Sequence, residues 1–210
     1  MYARRWFRPL TVMVLCCLLP SCSRSRDHVT LQGAGGTLPA PLYKRWFLEY
    51  YKAHPNVRVS YQAVGSGAGI RQFSEGLTDF GATDSFMGDK EIKQATEKWP
   101  DGLVQLPMTA GMVVVCYNVP GAPPDLKLTR QAYADIFLGK IDNWNAKAIA
   151  ESNPSAVLPD LPITVIRRAE GSGTTYVFTN HLSAISPEWA KGPDRGKSVV
   201  WSAWASHPQL

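Results

Sequence analysis

The stretch RRAEGSGTTYVF, residues 167–178, sets two arginines and a glutamate against a turn of glycines and hydroxyls that opens a helix. A helix start carries unpaired N–H groups and a partial positive charge, and glycine lets the main chain close on an anion. Arg168, directly before the turn, offers a planar pair of donors for two oxygens, while Ser172, Gly173 and Thr174 offer hydroxyls and amides. Arg167, its neighbour on an extended run, should point the other way and reads as a solvated surface arginine. Glu170 either orients Arg168 through an ion pair or is an exposed charge.

Two more glycine turns of this kind occur, Gly33–Thr37 and Gly65–Gly69. Taken singly, each is most simply a turn with a hydroxyl cap. Gly65-x-Gly67-x-Gly69 only approximates a dinucleotide fingerprint, and no turn ends in the Gly-Lys-Ser/Thr of a P-loop. Three such turns on parallel units would present their helix starts at one sheet edge. A small tetrahedral anion is the ligand class that suits them.

The elements that must position these turns repeat a strand–turn–helix unit. VTLQ leads through GAGGT into LPAPLYKRWFLEYYKAH, in which Leu42, Trp46, Phe47 and Tyr50 share a helical face. VRVSY leads through GSGAG into IRQFSEGL, and ITVIRR through EGSGTT into YVFTNHLSAI. Three units of this order predict an α/β architecture. Between them, Met112–Asn118 reads as a strand stopped by Pro120-Gly121, and residues 107–111 as a crossover into a second lobe. LTRQAYADIFLGK reads as a helix capped by Thr129 and ended by Gly139, with LPDLP a loop before the next strand.

At 210 residues, 45% hydrophobic and 19% charged, the composition is that of a globular protein rather than a disordered one. The first 22 residues differ: MYARRWFR, then the apolar PLTVMVLCCLLP, then SC, is the order of a secretory signal. Cys22 after Ser21 resembles a lipobox, with Pro20 an unusual member, so Cys22 is the expected lipidation site and ordinary export the alternative. Removing residues 1–21 takes away three arginines and no acid, lowering the formal charge from +5 to +2 and removing any argument for nucleic acid. Cys16 and Cys17 go with the signal, and Cys116 is left as a small buried apolar residue, with no disulfide framework or metal cluster available.

The motifs GAGGTLPAPLY, YQAVGSGAGIRQF, DFGATD, YNVPG, FLGKIDNW and RRAEGSGTTYVFT, in this order between Leu31 and Trp201, resemble the PstS family, the phosphate-binding proteins of bacterial phosphate ABC transporters. The resemblance implies a two-lobed periplasmic-binding-protein fold of type II. Residues 28–110 would form the N-terminal part of lobe one, and residues 111–210 an incomplete lobe two. It implies phosphate ligands at Thr37, the N–H of Leu38, Ser66, the Asp84 carboxylate, Arg168, Ser172, Gly173 and Thr174. Leu38 stands where the family usually has Phe, and Glu170 where it often has Asp. The implied partners are inorganic phosphate and the permease and ATPase subunits of the transporter, with no cofactor and no metal. The implied place is the periplasm or cell envelope.

A carboxylate beside an anion has a physical use. Phosphate near neutral pH keeps at least one proton, which an ionised Asp84 accepts as a charge-assisted bond; sulfate has none to give. A missing bond to a buried charge costs on the order of 1.5–3 kcal/mol, at least about tenfold in preference. Read without the family, Asp84 is a turn or cap aspartate. The closing SAWASHPQL lacks the glycine-rich continuation of the family, so a truncated product with uncovered sheet edges and lowered stability is expected. Rival readings are a receptor for another oxyanion, a non-functional remnant, and a secreted phosphatase or hydrolase using Ser66 or Ser172. Neither serine lies in a Gly-x-Ser-x-Gly elbow, and no motif makes His28, His54, His181 or His207 a base, so no catalytic residue is expected.

Overall fold

The computed structural model describes residues 28–201 and the backbone of residues 207–208. The signal expected over residues 1–22 and lipidation at Cys22 lie outside the described residues, as does most of SAWASHPQL.

β1 (Val29–Gly35) is the middle strand of a three-stranded sheet ordered β2-β1-β3, flanked by β2 (Val57–Ala63) and β3 (Phe80–Ala82). Both pairings are parallel, with Gly33 opposite Tyr61 on one side and opposite Phe80 on the other. Parallel neighbours require a crossover between them. α1 (Ala40–Ala53) makes the first and α2 (Ser66–Ser74) the second. α2 lies against the end of β1 at backbone contact, since a Cβ on Gly69 would come 2.3 Å from Gly35 Cα. That approach excludes any larger residue at position 69.

α1 buries a narrower stripe than its apolar spacing predicts. Tyr43 is buried and its ring meets Tyr61 edge-on at 5.1 Å, but Trp46 and Tyr50 are more than two-fifths exposed. Phe80 on β3 is shared by Phe47 and Tyr61, and these rings fill the space that would turn the face further. α3 (Asp89–Lys98), unforeseen in the sequence, follows β3 and packs on α2. Trp99 beyond it stacks on Phe73 at 5.3 Å and donates from Nε1 to the Phe73 carbonyl.

Residues 103–118 carry no strand, contrary to the reading of Met112–Asn118. The run is apolar enough, yet a strand also needs a ladder partner. β3 is an edge strand, and it pairs only with β1 among the described residues. Met112 is 90% exposed and Val114 66%, and Cys116 is an exposed free thiol rather than a buried one.

The remaining elements surround a second core. α4 (Arg130–Leu138) begins where Thr129 Oγ1 accepts from Ala132 N at 3.1 Å and stops at Gly139 with φ 80°, as its sequence predicts. With α5 (Lys147–Ala150) and Val165 it encloses Ala132, Ile136, Ile141, Ile149 and Ile163. α6 (Gly173–Ile185) and α7 (Pro187–Lys191) add Leu182 and Trp189, both fully buried. The third unit's strand is shorter than ITVIRR: β4 is Ile166–Arg167, paired in parallel with β5 (His207–Pro208). An α/β architecture of parallel strand–turn–helix units is therefore what the chain adopts.

Candidate functional site

All three glycine turns meet. The first unit's Gly36 donates to Ala82 O, holding the β1–α1 turn to the end of β3. Tyr61 on β2 donates its hydroxyl to Gly36 O at 2.6 Å, fixing the same peptide from the other side. Asp84, two residues past β3, donates its main-chain N–H to Ser66 Oγ at 3.3 Å. Ser66 is the first residue of α2 and is buried, preceded by Gly65 at φ 87°.

The third turn lies across the first two. Gly67 N donates to Gly171 O at 2.8 Å, Thr174 Oγ1 donates to Asp84 Oδ2 at 3.2 Å, and Arg168 Nη1 donates to Thr37 Oγ1 at 3.3 Å. A Cβ on Gly173 would stand 2.6 Å from Ser66 Oγ and 2.8 Å from Asp84 N, so only glycine lets the α6 start come this close. Thr37, Ser66, Asp84, Arg168, Gly173 and Thr174 are thus within one constellation. Ser172 is buried beside them, but its Oγ caps α6 by accepting from Thr175 N at 3.3 Å. Leu38 is 40% exposed and its side chain lies toward Gly111.

Glu170 resolves the alternatives left by its sequence position. Its Oε1 accepts from Arg168 Nε at 2.7 Å and also from Nη2. The pair holds the Glu170 carboxyl below the usual glutamate range, chiefly through the Arg168 hydrogen bond. With Nε and Nη2 engaged by Glu170, the Nη1 end faces Thr37. A glutamate in place of aspartate therefore still reaches the guanidinium. Arg167 is half-buried rather than solvated, and its Nη1 donates to Arg168 O at 3.4 Å.

The electrostatics suit an anion held beside an acid. The starts of α2 and α6 both meet Asp84, through Ser66 and Thr174, and the Arg168 guanidinium reaches the same cluster at Thr37. Burial raises the Tyr61 phenol well above the ordinary tyrosine value, and Tyr43 and Asp84 add to it. Tyr61 thus stays a hydroxyl donor to Gly36 at neutral pH. A cavity of about 670 Å³ adjoins the constellation, and its lining includes Leu38, Asp84 and Thr174 together with Phe73, Phe80 and Trp99. No group of histidine, cysteine or acidic residues among the described residues has the spacing to hold a metal ion. No helix among them is long and apolar enough to cross a membrane.

Two positioning residues escaped the sequence reading. Tyr61 carried the strand alternation and nothing that marks its hydroxyl as a turn clamp. Lys197 accepts the Ser172 N–H at its carbonyl, at 2.9 Å, from a loop with no regular structure.

A family model described as a PBP superfamily domain matches residues 23–206. The chain is 40% identical over 183 residues to the phosphate-binding protein PstS of Xylella fastidiosa (strain 9a5c), covering 87% of this chain and 48% of that protein. It is 42% identical over 173 residues to the protein of the same name from Haemophilus influenzae, covering 82% and 50%. The chain spans about half the length of the curated relatives it matches. A solved structure with bound phosphate from Clostridium perfringens, described as a candidate phosphate ABC transporter substrate-binding protein, superposes with a TM-score of 0.51 at 24% identity. The match covers 73% of this chain and 56% of that one. That likeness is one of fold.

Proposed function

This chain belongs to the PBP superfamily, and from that premise we propose that it is an extracytoplasmic receptor for inorganic phosphate, handing its cargo to the permease and ATPase of an ABC transporter. The names of the relatives at 40% and 42% identity support the ligand and the partners. The observation that carries the reading is the meeting of Thr174 Oγ1 with Asp84 Oδ2 and of Arg168 Nη1 with Thr37 Oγ1. It brings residues 131 and 90 positions apart into one polar cluster.

In this reading Arg168 and the amides of Leu38 and Gly173 neutralise the phosphate oxygens, and the hydroxyls of Thr37, Ser66, Ser172 and, on turning from Asp84 to the ligand, Thr174 donate to them. Asp84 accepts the phosphate proton. Residues 28–110 form one lobe and 111–210 belong to the other, so an anion that touches both favours their closed arrangement. Cys22 carries the lipid that tethers the receptor to the membrane.

The protein binds without chemistry. Ser66 Oγ and Ser172 Oγ both accept from main-chain amides, and no imidazole is hydrogen-bonded to either among the described residues. His54 instead packs on Tyr50, and His181 lies near Tyr133. Isothermal titration of the full chain tests the proposal: saturable heat with phosphate, and sulfate binding at least about tenfold weaker, is expected. Equal heats from both anions, or steady turnover of a generic phosphoester, would overturn it.

A further inference from the structure

Away from the anion cluster, one ion pair joins the same two bodies of structure. Lys197 Nζ donates to both carboxylate oxygens of Glu91, each at 2.9 Å, across 106 residues of sequence. The Lys197 side chain is only 14% exposed, so solvent and salt screen this pair less than an ordinary surface one. Its ammonium also sits 5.5 Å from the centroid of the Tyr176 ring on α6.

Both partners are anchored to elements that shape the site. Glu91 is in the first turn of α3, where its Oε2 accepts from Gly88 N at 2.9 Å. α3 packs on α2, the helix that begins at Ser66. Lys197 lies in the loop after α7, and that loop is tied to α6 and its cap by several hydrogen bonds. Ser172 N donates to Lys197 O at 2.9 Å, and Gly196 N donates to Thr179 Oγ1 at 3.0 Å. Residue 197 therefore grips the α6 start with its backbone and α3 with its side chain.

We propose that the Lys197–Glu91 pair is a latch that holds the Gly171–Thr174 turn against Ser66 and Asp84, setting how long a bound anion stays without touching it. The inference rests on the phosphate-receptor reading above. A latch of this kind stabilises the closed arrangement for every anion alike, so it acts on affinity and not on selectivity. This separates it from Asp84, whose contact depends on the ligand's proton.

The variants are Glu91→Gln, which keeps an oxygen for Gly88 N while losing the charge, and Lys197→Met, which keeps an unbranched side chain while losing the ammonium. In the full chain, each should speed phosphate dissociation roughly fivefold to twentyfold, while the phosphate-to-sulfate affinity ratio stays within about twofold of wild type. Unchanged dissociation, or a shifted ratio, would overturn the latch. Amide hydrogen exchange on the ligand-free chain supplies an independent reading. Faster exchange of both residues 88–99 and residues 171–176 in either variant is expected. Acceleration confined to residues 88–92 in Glu91→Gln, or absent in Lys197→Met, would reduce the pair to a local helix cap and refute the proposal. Should wild type take up no phosphate, the receptor reading fails and the exchange result decides the latch alone.

Discussion

Replacing Gly173 by alanine would set a methyl group 2.6 Å from Ser66 Oγ, 2.7 Å from Asp84 Cβ and 2.8 Å from Asp84 N. Two of these three atoms belong to backbone or Cβ, which cannot swing aside as the end of a long side chain can. Ordinary contact begins near 3.4 Å, so the α6 start must retreat by about 0.8 Å from its neighbours. The Thr174–Asp84 bond, already 3.2 Å, is then broken. Overpacking of this kind costs about 1–3 kcal/mol, roughly fivefold to 150-fold in a dissociation constant. The clash lies between the third unit and the first two, so parting them relieves it. Alanine is also the better helix former. The two effects separate: phosphate affinity falls by that factor while the ligand-free melting temperature holds or rises slightly. Titration calorimetry and thermal melts with and without phosphate read both. Undiminished affinity in Gly173→Ala would refute the claim that this turn closes on Ser66 and Asp84.

Three other outcomes follow from the packing and the titrating groups. Tyr61→Phe removes the 2.6 Å bond to Gly36 O and should lower stability by about 1 kcal/mol, with weaker phosphate binding because the first turn loosens; equilibrium urea unfolding and calorimetry check the pair of effects. Leu182→Ala empties a fully buried site between α4 and α6 and should cost about 2–5 kcal/mol, seen as a lower urea midpoint. Burial pushes Tyr133 up to about 12, and Tyr43 and Tyr61 are raised as well, above the ordinary 10.0. The folded chain thus holds these protons more tightly than the unfolded chain, so stability is full below pH 10 and falls as pH rises from there toward 12. Tyr133→Phe should flatten that alkaline decline in a series of urea melts.

How much of this was legible in the sequence depended on whether the signal was local. Thr129 and Gly139 bracket α4 because a hydroxyl cap and a left-handed glycine act within one turn. The three glycine turns were legible for the same reason, but the single sheet edge expected for them was not what formed: the first two turns share the β2-β1-β3 sheet, while the third follows β4 in a separate pair and reaches them through contacts such as Gly67 N to Gly171 O. Met112–Asn118 misled because a strand is a relation between two segments, and the partner cannot be read from the apolar run itself. Cys116 was misjudged separately: a lone free cysteine is usually a small buried apolar residue, and here it lies on the exposed run. Trp46 and Tyr50 have the helical spacing of a core face, yet Tyr43, Phe47, Tyr61 and Phe80 already occupy the space beneath α1. Glu170 could be assigned only with coordinates, because pairing with Arg168 two residues away depends on the turn between them. Tyr61 and Lys197 act through bonds to distant main-chain atoms, for which no residue pattern exists.

Selectivity rests on a proton shared between ligand and Asp84, beside the Thr174 hydroxyl that meets that carboxylate. The most direct measurement is the ratio of sulfate to phosphate dissociation constants, by competition titration at neutral pH, in wild type and in Asp84→Asn. A strong phosphate preference in wild type that shrinks at least about tenfold in Asp84→Asn is the predicted result. The same ratio in both proteins would contradict it, because the carboxylate would then have no part in telling the two anions apart.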